Sequence, residues 1–487
     1  MLVRVSRWLT LVLLTPFGLL AQPTDAADLL VRNARLIDGT GAPPRKNVAI
    51  LIRDGRIVDV GTDIKAEGIP ELDVSRATVL PGLIDSHVHF AAAPGGAFRH
   101  DSDATRRALN RRHLRAYLAS GVTTVLEPGS PIETVREIQE LFAAGNAGPR
   151  YLTTGPMLRA PGGYGAVDRT DAAGVLRTPE DVDAALDLIE SIAGVGVKLT
   201  TERGFNPFSS LPVCAPEIQK AITRSANARR LPIYVHATSE KDAEFALDLG
   251  AHAVMYAPVG GVWTGQLLGT EDLSDEFVSR MVERRTFQLT TFSLLDTWPG
   301  AYDTHRLDDP LLRLTVPRVE IATARDPAAL RFFYVSMLGF AVPWTFEFAR
   351  PWIARHLWSR GNLEEGLQYS QRNIAKLHRA GVPIVAATDA PSFWPFAIYH
   401  FHGPQLAREI ELLGEAGLSP MEAIVAATRT PARMLGVDGK IGTLEAGKRA
   451  DLLVVGGDPL EDLRALRDVR WVVQDGTART PAEWMEN

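Results

Sequence analysis

Cysteine is almost absent from this chain, which has a single Cys214 among 487 residues. One cysteine excludes an intrachain disulfide and a cluster of metal-binding thiolates, so any metal ion must be held by nitrogen and oxygen ligands. A basic excess is also absent, because 52 Lys and Arg face 58 Asp and Glu and leave a formal net charge of -6. Such a chain lacks the positive surface that binding to a phosphate backbone requires, so we expect no nucleic-acid partner.

The apolar run near the start, residues 8–20, is shorter than the about 20 residues that a membrane-spanning helix needs. Two arginines precede this run and two alanines follow it at residues 26–27. The pattern predicts an export signal over residues 1–27 and a periplasmic or secreted mature protein. A membrane anchor or a buried helix is the alternative, which Pro16 disfavours because proline interrupts a helix.

Short strand-like segments occur at both ends of the chain and are separated by Asp-Gly turns. The segments are residues 29–31, 48–50, 56–58, 451–455 and 469–473. Because similar segments bracket one large middle part, we expect them to pair with each other. The sequence therefore predicts one small β-sandwich domain built from residues 28–78 and 440–487.

The middle part, residues 79–439, alternates short apolar runs with helical stretches, which is typical of α/β proteins with parallel strands covered by helices. Eight runs are candidate strands: 79–84, 122–126, 151–154, 195–199, 233–235, 253–256, 287–290 and 384–387. Eight such units predict a (β/α)8 TIM barrel, in which the chemistry lies at the carboxyl ends of the strands. An open doubly wound sheet is disfavoured, because no glycine-rich phosphate loop follows the first strand.

A long insertion near residues 293–370 separates the seventh and eighth candidate strands. Its segment 331–358 is rich in Phe, Tyr and Trp. Three interpretations stay open: extra packing against the barrel, a lid over an apolar substrate, or a patch that contacts a membrane surface.

Two histidines, His87 and His89, follow the first candidate strand in the string Pro-Gly-Leu-Ile-Asp-Ser-His-Val-His. Residues two apart on a strand point to the same face, so both imidazoles can converge on one metal ion. Such a pair is weak evidence alone, because buried histidines often bond only to backbone groups. Its position at a strand end favours the metal-binding interpretation.

This string resembles the first-strand metal motif of the amidohydrolase superfamily, and in particular its imidazolonepropionase-like and prolidase-like members. The similarity extends from residue 28 to the C-terminus and includes the segments 33–40 and 442–451. The resemblance implies a carboxylated lysine that bridges two metal ions, and it implies further ligands at the ends of later strands. Position by position, it assigns these roles to Lys198, His236 and Asp389, with Asp389 also acting as the general base.

Two positions depart from the family pattern, because Tyr256 stands where relatives usually have the sixth-strand histidine and Tyr164 replaces a histidine after the third strand. His252 precedes the sixth-strand position by about 13 Å of strand, so a structural role is expected for it. These departures predict a weak second metal site. Tyr256, Tyr164 and the loop residue His402, or its neighbour His400, are the remaining second-site or substrate-contacting candidates.

The resemblance thus predicts a metal-dependent hydrolase of an amide-like C–N bond, dipeptide-type or otherwise non-ribosomal, in a small organic molecule. It holds one or two divalent ions, and zinc is the expected metal. An ester hydrolase, a deaminase of the same superfamily and a degenerate binding protein without turnover are the alternatives. Assembly into a homo-oligomer stays open.

Overall fold

The structure is a computed structural model of the chain. It describes residues 27–91, 103–165, 173–204, 210–258, 272–300, 303–326, 359–391 and 399–486, with the single residues 328, 348 and 352. The predicted export signal therefore lies almost wholly outside the described residues.

Both ends of the chain contribute strands to one mixed sheet. Its strands are β1 (Leu29–Leu36), β2 (Arg45–Arg53), β3 (Arg56–Gly61), β4 (Glu71–Asp73), β5 (Ala77–Pro81), β15 (Leu452–Gly456), β16 (Val469–Gln474) and β17 (Thr477–Arg479). The order is β17-β16-β15-β5-β1-β2-β3, and β4 pairs with β1. The antiparallel pairing of β15 with β5 is the direct link between the two ends of the chain.

Asp-Gly turns connect the strands in two hairpins of this sheet. Asp54 and Gly55 join β2 to β3 with φ values of 47° and 69°. Asp475 and Gly476 join β16 to β17 with φ values of 48° and 83°. Positive φ at both central residues is the requirement of the tight hairpin turn whose twist matches its strands. The strands on either side bury one apolar core that includes residues from both chain ends, among them Val31 and Val454.

A second set of strands is parallel throughout. These are β6 (Leu83–Asp85), β7 (Val122–Pro128), β8 (Arg150–Gly155), β9 (Met157–Leu158), β10 (Val197–Thr200), β11 (Ile233–His236), β12 (Ala253–Met255), β13 (Phe287–Leu289) and β14 (Ile384–Val385). They form the sheets β6-β7-β8 and β14-β13-β12-β11-β10-β9. All eight predicted segments of the middle part contain one of these strands.

The first and last parallel strands meet just beyond their carboxyl ends. Val88 forms an isolated parallel bridge with Ala390. The backbone N–H of Asp389 donates to the carbonyl of His87 at 2.8 Å, and that of His89 donates to the carbonyl of Ala390 at 3.0 Å. The segments that follow β6 and β14 are thereby held side by side.

The predicted first strand, residues 79–84, differs from the structure because Gly82 divides it. Its first half belongs to β5 of the terminal sheet, and its second half is β6. A side-chain carbon at Gly82 would lie 2.2 Å from Thr123 Oγ1, so only glycine allows this close approach. The terminal sheet therefore extends to Pro81 rather than ending at residue 78.

Helices separate the parallel strands. They are α1 (Asp103–Ala119), α2 (Ile132–Ala143), α3 (Pro179–Ser191), α4 (Pro216–Arg229), α5 (Glu240–Asp248), α6 (Asp275–Arg284), α7 (Phe292–Gly300), α8 (Pro310–Thr315), α9 (Arg318–Arg325), α10 (Arg360–Arg379), α11 (Gln405–Glu415), α12 (Pro420–Ala426), α13 (Arg429–Met434) and α14 (Pro481–Glu486). Several begin at a serine whose side chain accepts a backbone N–H, as at Ser239 before α5 and Ser274 before α6.

The long insertion contains the helices α7, α8, α9 and α10. Within its aromatic segment 331–358, the structure describes only Phe348 and Trp352, whose side chains are 86% and 67% exposed. The core interpretation is therefore wrong for these two residues, and the other aromatic residues of the segment lie outside the described residues. Across the described part of the chain, no helix combines the length and the apolar character needed to cross a membrane.

Candidate metal centre

Three buried side chains converge beyond the ends of β6 and β14. His87 Nε2 and His89 Nε2 lie 3.2 and 3.0 Å from Asp389 Oδ1, and the two nitrogens lie 3.1 Å apart. Their exposed fractions are 5% or less. The structure thus brings together three of the five predicted metal ligands.

The donor set fits a divalent metal ion. Ligand atoms at roughly 2.0 to 2.2 Å from one ion lie about 3.0 to 3.6 Å apart, as these three atoms do. Asp389 Oδ1 is buried and makes no hydrogen bond to the described residues, although two imidazole nitrogens face it. An unsatisfied buried carboxylate oxygen is costly unless a cation takes the place of a donor.

The backbone at these residues is specialised for this convergence. Asp389 has a φ of 61°, which few residues other than glycine adopt. The buried carboxylate of Asp85 accepts hydrogen bonds from the Thr388 backbone N–H at 3.1 Å and from its hydroxyl at 2.7 Å. Asp85 therefore fixes the segment that carries Asp389 to the segment that carries the histidines.

Lys198 on β10 is buried in the same region. Its Nζ lies 2.9 Å from Met255 Sδ, and no described carboxylate lies within ion-pair distance. A thioether is a weak acceptor, so the ammonium form has little compensation for its lost hydration. Burial accordingly lowers the pKa of Lys198 to about 7, against the opposing effect of Asp389.

His236 ends β11 and packs against two aromatic rings. The Tyr164 ring centroid is 4.1 Å from that of His236, and the Tyr256 ring centroid is 4.3 Å from it. Tyr256 also lies 5.1 Å from the His87 ring. The structure therefore places His236 and both predicted tyrosines beside the cluster, but not His236 within the group of three converging atoms.

The two loop histidines after β14 have different environments. His400 is buried, bonds to the backbone of Thr388 and lies within electrostatic range of Asp389. His402 stacks on His113 at 4.0 Å, and its Nδ1 lies 3.1 Å from the Tyr117 hydroxyl. His400 thus lies near the segment that carries Asp389, and His402 is linked to the same segment through Tyr117, whose hydroxyl also lies 3.4 Å from the Ala390 carbonyl oxygen.

His252 does not belong to the site. Its Nε2 lies 2.8 Å from the carbonyl oxygen of Met434, and its ring packs near Phe287. It precedes β12, at the end of that strand opposite to Tyr256. The expected structural role is therefore confirmed.

Sequence reasoning did not single out Glu202, a buried carboxylate two residues after β10. Its Oε2 accepts the Thr238 hydroxyl at 2.5 Å and lies 3.8 Å from His236 Nε2. Burial raises the pKa of Glu202 to about 7. Its position after a strand end was the available signal. The sequence alone, however, does not show whether a single glutamate in a loop is buried or lies at the surface.

Parallel strands, intervening helices and a buried His-His-Asp group beyond the strand ends define a candidate metal-dependent α/β enzyme. The model of the amidohydrolase family matches residues 78–253 and 362–477. The chain belongs to the amidohydrolase family, whose members are hydrolases that act on C–N bonds.

Two relatives illustrate the range of similarity. The chain is 25% identical to imidazolonepropionase of Maricaulis maris over 447 residues, which cover 88% of this chain and 92% of that protein. It is 32% identical to dihydroorotase of Streptococcus pneumoniae over 119 residues, which cover 24% of this chain and only 25% of that protein. The chain thus matches only part of the length of the dihydroorotase.

Solved structures agree at the level of the fold. A Xaa-Pro dipeptidase with bound methionine has a TM-score of 0.68 and 22% identity, with coverage of 93% of this chain and all of that chain. Molinate hydrolase has a TM-score of 0.68 and 18% identity, with coverage of 94% and 96%. These likenesses show that the fold is shared over nearly the whole chain.

Proposed function

We propose that this protein is a metal-dependent hydrolase that cleaves an amide-like C–N bond in a small organic substrate. The observation that carries the proposal is the buried convergence of His87, His89 and Asp389. We also propose that the parallel strands close into a (β/α)8 barrel, because the Val88–Ala390 bridge joins the first strand to the last. A barrel places these residues at its carboxyl-end mouth.

His87, His89 and Asp389 would hold the ion, and nitrogen and oxygen ligands of this kind suit zinc. When bound, the ion lowers the pKa of a water molecule toward neutrality and polarises the substrate carbonyl. Asp389 accepts the proton of the attacking water and delivers it to the leaving nitrogen. Its backbone bond to His87 and the support of Asp85 keep its carboxylate in place.

Lys198 would serve this centre as a carboxylated residue. The neutral amine attacks the carbon of CO2, an N–C bond forms, and one proton leaves to solvent, so that a carbamate anion remains. The burial of Nζ and its pKa of about 7 favour the neutral amine that this step requires. Carboxylation thus replaces the ammonium form of Lys198, which has little compensation for its lost hydration, by a carbamate anion beside the histidines.

The choice of bond rests on the relatives. The imidazolonepropionase and dipeptidase relatives are hydrolases that act on C–N bonds, which favours this bond over an ester or an amidine. The retained ligand positions favour an enzyme over a binding protein without turnover, because a site that only binds has no need of a base at Asp389.

The test is turnover of a panel of dipeptides, lactams and N-acyl amino acids by purified protein and by Asp389→Asn. We expect hydrolysis of at least one class, and a loss of at least about 100-fold in the variant, because it removes the base with little change in volume. Equal activity of the two proteins would show that another group accepts the proton. Activity on esters or amidines alone would show that the protein is an ester hydrolase or a deaminase instead.

A further inference from the structure

Both departures from the family pattern meet at one residue. Tyr164 follows β9 and Tyr256 follows β12, yet both rings pack against the imidazole of His236, at 4.1 and 4.3 Å between centroids. His236 Nε2 is buried and makes no hydrogen bond to the described residues. Both departures thus place an aromatic ring against the same ligand candidate.

The backbone of Tyr256 has an unfavourable conformation that its neighbours stabilise. Its φ is 95°, a value that a bulky side chain adopts only under constraint. The amide of Gln288, itself fully buried, donates to the Tyr256 carbonyl oxygen at 2.6 Å. Such strain persists only where the surroundings fix it, and it concentrates at functional sites.

The ring and the hydroxyl of Tyr256 have separate contacts. The ring lies against His87 and His236, and Lys198 Nζ lies 5.5 Å from its centroid. The hydroxyl lies near the Asp389 carboxylate. Tyr256 therefore contacts the three-residue cluster and also the two residues that a second ion would need, His236 and Lys198.

We propose that Tyr256 makes this a one-metal centre, because its ring takes the space of a second ion at His236 and its hydroxyl orients the Asp389 carboxylate. The Tyr164 ring also packs against His236. The inference rests on the proposed function, since it assumes that His87, His89 and Asp389 hold an ion. Tyr256 is thus a positioning residue for Asp389. His236 lines the site and does not bind the metal ion.

The test is zinc stoichiometry, measured by elemental analysis after metal-free protein has been loaded with zinc chloride and desalted. We expect one zinc per chain in the unmodified protein and two in Tyr256→His, because an imidazole is a stronger ligand than a phenol and occupies less space. Tyr256→Phe should keep one zinc but bind it about 10- to 100-fold more weakly, since the hydroxyl that lies near the Asp389 carboxylate is lost.

Tyr234→Phe is the matched control, because this buried β11 tyrosine makes no hydrogen bond to the described residues through its hydroxyl. It should retain the zinc content and affinity of the unmodified protein. Two tightly held zinc ions in the unmodified protein, or an unchanged affinity in Tyr256→Phe, would overturn the inference. Binding of no zinc by the unmodified protein would instead contradict the proposed function on which it rests.

Discussion

At the scale of single residues, Lys198 is the side chain whose position is hardest to explain by packing alone. It is 2% exposed, its only hydrogen-bond partner among the described residues is a thioether, and it faces a cluster of histidines. A structural lysine at this depth normally pairs with a carboxylate. Lys198 is therefore expected to cost stability and to be retained for the site.

This expectation is tested by Lys198→Met, which keeps the length of the side chain and removes the amine. The metal-free variant should be more stable than the unmodified protein by about 1 kcal/mol or more, because an apolar side chain replaces a buried amine whose hydrogen-bond partner is a thioether. Its affinity for zinc should fall. Thermal unfolding and zinc titration measure the two effects.

Lys220→Met is the control for that comparison, because Lys220 lies exposed on α4. It should change neither the unfolding temperature nor the zinc affinity. A large loss of stability in Lys198→Met would show that the amine has a structural partner after all.

Some residues of the site could be predicted from the sequence, and others could not. His87 and His89 could be predicted because they lie two residues apart at a strand end. Tyr256 could be predicted because it stands at the position of the sixth-strand histidine in the family pattern. The difference between His400 and His402 could not be predicted, because it depends on how a loop returns over Thr388 and Tyr117. Loop geometry of this kind leaves no periodic signal.

At the scale of strands and helices, His252 tests the assignment of β12. Its backbone N–H donates to Ile233 and its carbonyl accepts from Phe287, so it sits where three strands begin. Burial lowers its pKa in the folded state, although the contact with the Met434 carbonyl raises it in part. The folded protein therefore keeps His252 neutral at a pH at which the unfolded chain takes up a proton.

Stability should accordingly fall as the pH falls below about 6.5, the ordinary pKa of histidine, because only the unfolded state gains the extra proton there. His252→Gln keeps a donor for Met434 but cannot titrate, so its stability should depend less on pH between 5 and 7. The difference in slope is at most about 1.4 kcal/mol per pH unit. Urea unfolding of both proteins at several pH values measures it, and parallel curves would contradict the account.

Strand positions followed from apolar runs, whereas strand ends did not. Residues 79–84 form one continuous run in the sequence but two strands of different sheets in the structure, because Gly82 allows the chain to pass close to Thr123. Apolar periodicity cannot reveal such a change of partner. The Asp-Gly turns, in contrast, mark two of the observed hairpins, because their chemistry is local.

At the scale of the whole molecule, a buried ion-pair network joins the parallel strands to the terminal sheet. Arg150 at the start of β8 bonds to Asp451 and Asp475, and Arg449 donates to Asp475 at 2.6 Å. Arg150 is 1% exposed. These contacts link a residue of the middle part to the segments that flank β15 and end β16.

Arg150→Met should destabilise the protein by about 3 to 5 kcal/mol, because it leaves the buried carboxylate of Asp451 without an ion-pair partner among the described residues and removes one of the two cations beside Asp475. Adding Asp451→Asn should recover part of the loss, since one of those charges is then removed. Chemical unfolding of the three proteins measures both changes. A loss below about 1 kcal/mol in the single variant would show that the network is solvated and of little consequence.

The central claim is that hydrolysis depends on a metal ion held by His87, His89 and Asp389. The most direct test is to measure turnover of a substrate from the panel after the metal has been removed with a chelator and again after zinc has been restored. The account predicts that activity disappears on removal and returns with zinc in the unmodified protein, but not in Asp389→Asn. Full activity of the metal-free protein would contradict it.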